Sequence, residues 1–363
     1  MDRRVSHTVL KEFVAQIFLK IGVPLEDAQV TADVLVAANL RGIDSHGVAR
    51  TRRYVQGLRD GVMLARPDIR LAHQTPVTAL IDGGAGLGQV VGVKAMRLAM
   101  EKASKAGLGF VAVRNSNHYG IAGYYAMMAL EEDLIGISMT NAATLVVPTF
   151  GRDAVLGTNP VSIAVPTDGE RPFVLDMATS VVTRGKLEEY ERLEKPLLQG
   201  WATDRRGVPT DDATDVLRNM KDRLGGGILP LGGAGEELGG HKGYGLGLLV
   251  DILCGVLPGA AYASHVYPRD GSGKPLPANI GHYFGALQVD SFRPLGEFKA
   301  SMDDIIQTLR GSAKAEGQER IFIHGEKEFE MADERMRDGI PLHPKVARDL
   351  QQMGEELGVP YDL

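Results

Sequence analysis

A short segment, residues 41–50, places a proton carrier beside a group that can hold an anion. It contains Ser45, His46 and Arg50, and glycines at 42 and 47 let the backbone turn around the first two. Histidine exchanges a proton near neutral pH, serine can orient it, and arginine can hold a carboxylate through two parallel hydrogen bonds. The alternative is a surface turn in which Ser45 caps the next helix and His46 is solvated. The spacing alone leaves both interpretations open.

A second segment, residues 114–123, follows a predicted strand and opens a predicted helix. It combines asparagines and a serine with His118. Ligands of α/β proteins bind at the carboxyl ends of strands, and the free N–H groups of a helix start attract phosphate. This position favours a binding or catalytic site. The alternative is that the asparagines and the serine cap the helix while His118 bonds a backbone carbonyl.

Three further clusters contain small polar or basic residues. The segments 157–160 and 175–180 lie at strand ends where a cofactor could approach the backbone, although Asp176 could simply cap the next segment of the chain. In the segment 239–245, Lys242 lies among glycines just before an apolar helix, where an ammonium group can meet a phosphate. The alternative there is a flexible loop with a solvated lysine.

Composition excludes several classes of protein. The net charge of -6 over 363 residues provides no basic surface for nucleic acid. A single cysteine, Cys254, excludes an intrachain disulfide and a cysteine-based zinc site; no metal site is predicted, and Cys254 is interpreted as a buried small hydrophobe. The longest apolar run, 246–257, is too short to span a bilayer. We expect a cytoplasmic protein with no membrane partner.

The usual signatures of nucleotide and hydrolase sites are absent from the sequence. It contains no G-x-G-x-x-G, Walker loop, H-E-x-x-H or G-x-S-x-G. The nearest variant, at 107–112, runs into a predicted strand instead of leaving one. A dinucleotide site in this chain is therefore not expected to use a Rossmann turn.

Hydrophobic periodicity predicts an α/β centre between helical ends. Helices are predicted within 6–60 and at 25–40, 90–106, 121–132, 245–257, 298–313, 329–337 and 344–357. Strands are predicted at 78–81, 109–113, 135–139, 161–165 and 173–175, with a strand-like run at 320–323 and an irregular glycine-rich stretch before 245. The predicted domains are a helical part (1–75), an α/β domain (76–295) and a mainly helical part (296–363) that packs with the first.

Five motifs together resemble those of the malate/L-lactate dehydrogenase family, whose fold is not a Rossmann fold. They are Arg-Gly-Ile-Asp-Ser-His-Gly-Val (41–48), Asn-Ser-Asn-His-Tyr-Gly-Ile-Ala-Gly-Tyr-Tyr-Ala (115–126), Gly-Thr-Asn-Pro (157–160), Leu-Asp-Met-Ala-Thr-Ser (175–180) and Gly-Gly-His-Lys-Gly-Tyr-Gly-Leu (239–246). The resemblance extends from about residue 6 to about residue 358, in the family's order. Relatives include sulfolactate, ureidoglycolate, diketogulonate and piperideine/pyrroline-2-carboxylate oxidoreductases.

The resemblance implies an NAD- or NADP-dependent homodimer that interconverts a small 2-hydroxy acid, malate or lactate, and its 2-keto acid. Its fold would be a non-Rossmann NAD(P)-binding α/β domain with a mixed sheet, plus a helical domain formed by both chain ends. The alternatives are a reductase of a cyclic imine carboxylate and a dehydrogenase of ureidoglycolate or sulfolactate. A non-enzymatic alternative is a catalytically silent nucleotide-binding protein.

The resemblance also assigns roles to residues of this chain. It implies catalysis by His46 or His118 with Ser45, and substrate binding by Arg50, Thr158 and Arg184. The implied cofactor contacts are Tyr119, Gly120, Ile121, Ala122, Gly123, Asn141, Asp176, Met177, Ala178, His241, Lys242, His324, Gly325 and Glu326.

Two features depart from the family pattern. Lys186 stands where the cyclic-imine reductases have an acidic proton-relay partner, which weakens the imine alternative. The segment 211–227 is interpreted as an insertion relative to close relatives.

Overall fold

The computed structural model describes residues 3–363. The strands are β1 (Arg3–Val5), β2 (Arg70–Gln74), β3 (Thr78–Asp82), β4 (Leu108–Ser116), β5 (Leu134–Thr140), β6 (Val161–Val165), β7 (Phe173–Met177), β8 (Ala202–Thr203), β9 (Gly227–Ile228), β10 (Ile280–Gln288) and β11 (Ile340–Leu342). The α-helices are α1 (His7–Lys20), α2 (Leu25–Leu40), α3 (Thr51–Arg59), α4 (Gly88–Ala106), α5 (Ala122–Met128), α6 (Arg184–Arg192), α7 (Ala213–Asp222), α8 (Gly240–Asp251), α9 (Leu295–Gly311), α10 (Glu326–Asp338) and α11 (Pro344–Leu357).

A mixed seven-stranded sheet forms the centre, in the order β2-β3-β4-β10-β5-β6-β7. Strand β3 is parallel to β4, whereas β10 is antiparallel to both β4 and β5. Strand β6 is antiparallel to β5 and to β7. The α/β class and the five predicted sheet strands are confirmed.

The sequence did not predict β10, although it lies in the middle of the sheet. Glycines interrupt its alternation for a steric reason. A Cβ on Gly281 would lie 1.5 Å from the carbonyl oxygen of Cys254, and one on Gly285 would lie 2.8 Å from the Phe110 ring. Other chain segments therefore approach β10 too closely for side chains at these positions. The glycines interrupt the alternation of apolar and polar residues by which a strand is recognised in a sequence. Cys254 itself is buried, as predicted.

The two ends of the chain share one apolar core. Helices α1, α2 and α3 pack with α11 around side chains that are fully buried, among them Leu10, Phe18, Leu35 and Leu350. Strand β1 pairs antiparallel with β11. Helix α9 lies elsewhere, because its Asp303 accepts the backbone N–H of Gly169 beyond β6. The domain boundaries at 75 and 295 stay a prediction.

A small lobe occupies much of the stretch that was predicted to be irregular. Helices α6 and α7 pack with the β8–β9 pair around Leu187, Val216 and Ile228. Helix α7 lies within the 211–227 segment, and Asp212 caps it. The strand-like run predicted at 320–323 forms no strand and joins no sheet. None of the helices in residues 3–363 is both long and apolar enough to cross a membrane.

Candidate active site

The sheet topology brings the separate polar segments to one edge. Strands β4, β5 and β7 run in the same direction and end at this edge, whereas β6 runs in the opposite direction and begins there. The segments that follow β4, β5 and β7 and the segment that precedes β6 therefore lie along a single edge of the sheet. Binding at the carboxyl ends of strands is the general rule for α/β proteins.

The segment 41–50 is shaped by hydrogen bonds between α2 and α10. The Asn39 side chain accepts the Val48 N–H at 2.8 Å and donates to Asp44 at 2.6 Å. Arg335 of α10 pairs with Asp44 at 2.7 Å. A Cβ on Gly47 would lie 2.2 Å from the Asn39 side-chain oxygen. Glycine is therefore required for the chain to pass Asn39 and present the next side chains.

His46 and His118 come together although they are far apart in sequence. Their rings stack with centroids 5.6 Å apart and an interplanar angle of 21°. The Ser45 hydroxyl lies 2.9 Å from Nδ1 of His46, and the Tyr54 hydroxyl lies 2.6 Å from Nδ1 of His118. Because a hydroxyl engages Nδ1 in each ring, Nε2 is the nitrogen left to exchange a substrate proton.

Both histidines are held in the neutral form. Burial lowers the pKa of His46 to about 4, and the neighbouring cations Arg50 and Arg53 act in the same direction. Burial also lowers the pKa of His118 well below its usual value, with Arg53, His46 and Arg50 adding to the effect. A neutral imidazole accepts a proton, so this pair suits removal of a hydroxyl proton at pH 7.

Two guanidinium groups border the histidines. Arg50 donates from Nε to the Ser45 carbonyl oxygen at 2.6 Å, and Arg53 donates to the Tyr267 hydroxyl at 2.7 Å. Neither forms an ion pair with any carboxylate of residues 3–363, whereas Arg52 of the same helix pairs with Asp349. This end of α3 therefore presents uncompensated positive charge.

The other predicted substrate contacts differ from Arg50. Arg184 opens α6 and pairs with Glu188 at 2.9 Å, so its charge is matched within the chain. Thr158 is partly buried, and its carbonyl oxygen accepts the backbone N–H of Thr179 at 2.9 Å. Both stay predictions as substrate contacts.

A cavity of about 240 Å³ brings Asp176 together with His324 and Gly325. Asp176 accepts the Gly123 N–H at 2.8 Å, and a Cβ on Gly123 would lie 2.6 Å from the same carboxylate. Burial raises the pKa of Asp176 to about 6, although the Gly123 hydrogen bond opposes this. The side chain is therefore still ionised at pH 7. The partly buried Met177 and Ala178 come directly after it.

Several predicted cofactor contacts are used by the fold itself. Tyr119 is buried and stacks on His282 at 4.6 Å. The Asn141 side chain donates to Asp251 and to the Ala261 carbonyl and accepts the Gly281 N–H. Its backbone N–H and carbonyl oxygen are also hydrogen-bonded, to the Gly281 carbonyl and the Thr140 hydroxyl. Glu326 is buried in an ion pair with Arg310.

The remaining residues of the helix after β4 are also enclosed. Gly120 has a φ of 90°, which favours glycine, and its N–H lies 3.4 Å from Nδ1 of His118. Ile121 and Ala122 are buried at the start of α5. Their contribution to a ligand would therefore come from the backbone at the helix start.

Lys242 lies in the first turn of α8, because that helix begins at Gly240 and not near 245 as predicted. Lys242 and His241 are exposed, and Lys242 borders a cavity of about 340 Å³ next to Gly239. A helix start and an ammonium group both favour an anion. The roles of Lys242 and Asp176 in cofactor binding stay predictions.

The family profile described as malate/L-lactate dehydrogenase matches residues 5–351. The chain belongs to this family. It is thus a 2-hydroxy acid dehydrogenase of an NAD(P)-dependent kind, and the resemblance drawn from five motifs is confirmed.

Several relatives match nearly the whole chain. The malate dehydrogenase of Pyrococcus abyssi is 49% identical over 356 residues, which cover 98% of this chain and 95% of that protein. The L-sulfolactate dehydrogenase of Methanocaldococcus jannaschii is 39% identical, with 96% of each chain covered. The crystal structure of malate dehydrogenase from Entamoeba histolytica superposes with a TM-score of 0.95 at 38% identity and covers 100% of both chains.

Sequence reasoning missed three side chains near the two histidines: Arg53 and Tyr54 beside them, and Tyr267, which contacts Arg53. Arg53 and Tyr54 follow Arg50 by three and four residues, which is the spacing of one helix face. That spacing was the available signal. Tyr267 comes from a loop more than 200 residues further along the chain and had no sequence signal.

Proposed function

We propose that this member of the malate/L-lactate dehydrogenase family oxidises malate to oxaloacetate, with NAD or NADP as hydride acceptor. The observation that carries the proposal is the stacked, neutral pair His46–His118 beside the unpaired Arg50. This pair supplies a proton acceptor next to a carboxylate-binding group. The relative from Pyrococcus abyssi, which is a malate dehydrogenase, supports malate as the substrate.

Different residues of this chain have different roles in the reaction. Arg50 holds the C1 carboxylate through its planar guanidinium. Nε2 of His46 or His118 takes the proton of the C2 hydroxyl. For this, Nδ1 of that ring carries the hydrogen and donates it to the Ser45 or Tyr54 hydroxyl, which also keeps the ring in position. The bound nicotinamide supplies the acceptor for the hydride from C2. Holding the reacting groups together accounts for much of the rate.

Lys242 and Asp176 are proposed to hold the cofactor. Lys242 would bind phosphate at the start of α8, and the Asp176 carboxylate would accept hydrogen bonds from ribose hydroxyls. His324 and Gly325 border the same cavity as Asp176, and the exposed His241 precedes Lys242. A negatively charged group in contact with sugar hydroxyls and a positively charged group in contact with phosphate form a complementary pair for a dinucleotide.

The protein is further proposed to form a homodimer through α8 and the turn directly after it. This segment exposes a series of large apolar side chains: Leu246 (43%), Leu249 (47%), Ile252 (44%), Val256 (55%) and Leu257 (59%). Such a run is unusual on a monomer surface. A second copy of the chain would cover it through a two-fold interface in which the same patch serves both subunits.

A screen of substrates and cofactors tests the proposed function. Purified protein is incubated with malate, lactate, sulfolactate and ureidoglycolate and with NAD or NADP, and reduced nicotinamide is followed by absorbance. Cyclic imine carboxylates are tested in the reverse direction with NADH and NADPH. We expect malate turnover with at least one cofactor. Turnover of the imines alone would replace the proposal with the reductase, and no turnover at all would favour a silent nucleotide-binding protein.

A further inference from the structure

Arg53 lies where it can bind a part of the substrate that Arg50 does not reach. The short helical turn Val48–Arg50 runs directly into α3, so Arg50 and Arg53 project from neighbouring positions of one helical face. Tyr54, next in sequence, reaches Nδ1 of His118. Arg53 projects from a different side of the helix than Tyr54, but its charge is close enough to add to burial in lowering the pKa of both His46 and His118, so it lies beside the pair.

Tyr267 fixes the position of the Arg53 guanidinium. Its hydroxyl accepts a hydrogen bond from Nη2 of Arg53 at 2.7 Å, and the guanidinium carbon lies 5.5 Å from the centre of the Tyr267 ring. Tyr267 itself has a φ of 58°, a conformation that costs free energy for a bulky side chain. The fold thus holds the backbone of Tyr267 in a strained conformation, and from that position the phenol orients Arg53.

Arg53 also borders an open cavity. The cavity has a volume of about 940 Å³, and its wall includes Arg53, Tyr267 and Arg184. Arg53 is exposed to it, and no carboxylate of residues 3–363 pairs with this guanidinium. Arg184 adds little net charge, because Glu188 neutralises it at 2.9 Å.

A substrate with one negative charge would not neutralise the positive charges around the histidines. Two guanidinium groups, Arg50 and Arg53, carry two positive charges, while His46 and His118 are neutral. A 2-hydroxy acid with a single carboxylate compensates only one of them. A substrate with a second acidic group compensates both. The Cβ atoms of residues at this helical spacing lie about 5–6 Å apart, so the two long side chains can hold one short dianion together.

We propose that Arg53, oriented by Tyr267, binds a second anionic group on the substrate and makes the enzyme selective for dianionic 2-hydroxy acids over lactate. This inference rests on the proposed function, since it assigns a residue to the substrate choice of the same site. Arg50 takes the C1 carboxylate, and Arg53 takes the distal carboxylate or sulfonate. Recognition by a charged fork explains how one site accepts either acidic group.

The test compares kcat/KM for malate, sulfolactate and lactate in wild type and in Arg53→Gln, which removes the charge and keeps a polar side chain. We expect kcat/KM for both dianions to fall about 10- to 100-fold, the usual effect of losing a hydrogen bond to a charged group, and kcat/KM for lactate to stay within about 3-fold. Arg53→Lys should restore part of the preference for the dianions. Tyr267→Phe should lower it in the same direction but less.

Arg59→Gln serves as the matched control, because Arg59 lies on the same helix but pairs with Glu356 away from the cavity. It should leave all three substrates unchanged. Equal losses for malate and lactate in Arg53→Gln, or no loss for malate, would overturn the proposal. If wild type oxidises none of the acids, the proposed function itself fails, which is a separate result. Cofactor affinity, measured by fluorescence titration, should be the same in all variants, and a change confined to Arg53→Gln would assign this arginine to the cofactor.

Discussion

At the scale of single residues, the chemistry depends on two histidines that burial keeps neutral. Burial and the guanidinium groups of Arg50 and Arg53 act in the same direction on the pKa of His46 and of His118. A neutral imidazole is ready to accept the proton of a hydroxyl group. Binding of an anionic substrate offsets the nearby positive charge and so makes the protonated imidazole less costly once the proton has moved.

The depressed pKa values predict an unusual pH profile. For an ordinary histidine base, kcat/KM for hydroxy-acid oxidation falls as the pH drops below about 6.5, because the base becomes protonated. With the pKa of His46 at about 4, the base stays deprotonated and kcat/KM should stay level down to about pH 5.5. The measurement uses saturating cofactor, because Asp176 titrates near 6. A one-proton decline centred near 6.5 would show that neither histidine is held neutral.

Tyr54 is expected to act through His118. Tyr54→Phe removes the hydroxyl that lies 2.6 Å from Nδ1 but keeps the ring that fills the core. Loss of one hydrogen bond predicts a fall in kcat of about 2- to 10-fold with little change in KM. Tyr361→Phe is the control, since that ring packs on Phe13 in the helical core. An unchanged kcat together with an unchanged pH profile would exclude a positioning role for Tyr54.

At the scale of elements, the segment 41–50 works because α2 and α10 hold it from two sides. Asn39 and Arg335 both contact Asp44, one residue before Ser45. The sequence indicated the glycines and polar residues of this segment, but it could not show Arg335. That residue lies almost 300 positions away, and nothing in the local pattern links it to Asp44.

Gly47 tests this arrangement. In Gly47→Ala the new methyl group would displace the Asn39 side chain, which would then lose its hydrogen bonds to Val48 and Asp44. We expect a loss of about 1–3 kcal/mol in the free energy of unfolding and a lower kcat. Gly296→Ala in α9 is the control, because no atom lies within 4 Å of its added Cβ. Equal melting temperatures for the two variants would show that Asn39 tolerates the methyl group.

The first turn of α8 provides a second test at this scale. Lys242→Ala should weaken NAD(P)H binding by about 1.5–3 kcal/mol while the fold is retained, because an ammonium group at a helix start is lost from a phosphate site. Fluorescence titration of the cofactor measures the change. Lys314→Ala, in an exposed segment after α9, should leave the dissociation constant unchanged. If the two variants bind equally well, Lys242 is only a solvated lysine.

Secondary structure was predicted correctly from the sequence where an element has a clear apolar periodicity of its own. The strands at 109–113 and 135–139 and the helix at 344–357 have clear apolar periodicity, and the structure confirms them. Prediction failed where a neighbouring segment decides the residue type, as at Gly281 and Gly285 of β10. The site showed the same division, because Ser45 and His46 lie in a compact motif whereas Tyr267 reaches the site from a distant loop.

At the scale of the whole molecule, the sheet collects motifs that are widely separated in the chain. The segments after β4, β5 and β7 and the segment before β6 meet at one edge, and the helical core formed by both chain ends places α3 against His118. In the described chain, α8 and the turn after it leave a run of large apolar side chains exposed.

The proposed dimer predicts a measurable change of mass. One chain has a mass of 39.0 kDa, and sedimentation should give about twice this value for wild type. Leu249→Glu combined with Ile252→Glu places charges on the apolar face and should produce monomers. Leu309→Glu, on the exposed side of α9, is the control and should stay dimeric. A monomeric wild type, or a dimer that survives the double substitution, would contradict this interface.

The histidine pair is tested most directly by the rate of malate oxidation in wild type, His46→Ala and His118→Ala at saturating NAD or NADP. We expect turnover by wild type and a loss of about 10²- to 10⁴-fold in kcat for at least one variant, with cofactor binding retained. Near-wild-type turnover in both variants would contradict the assignment of proton transfer to the stacked histidine pair.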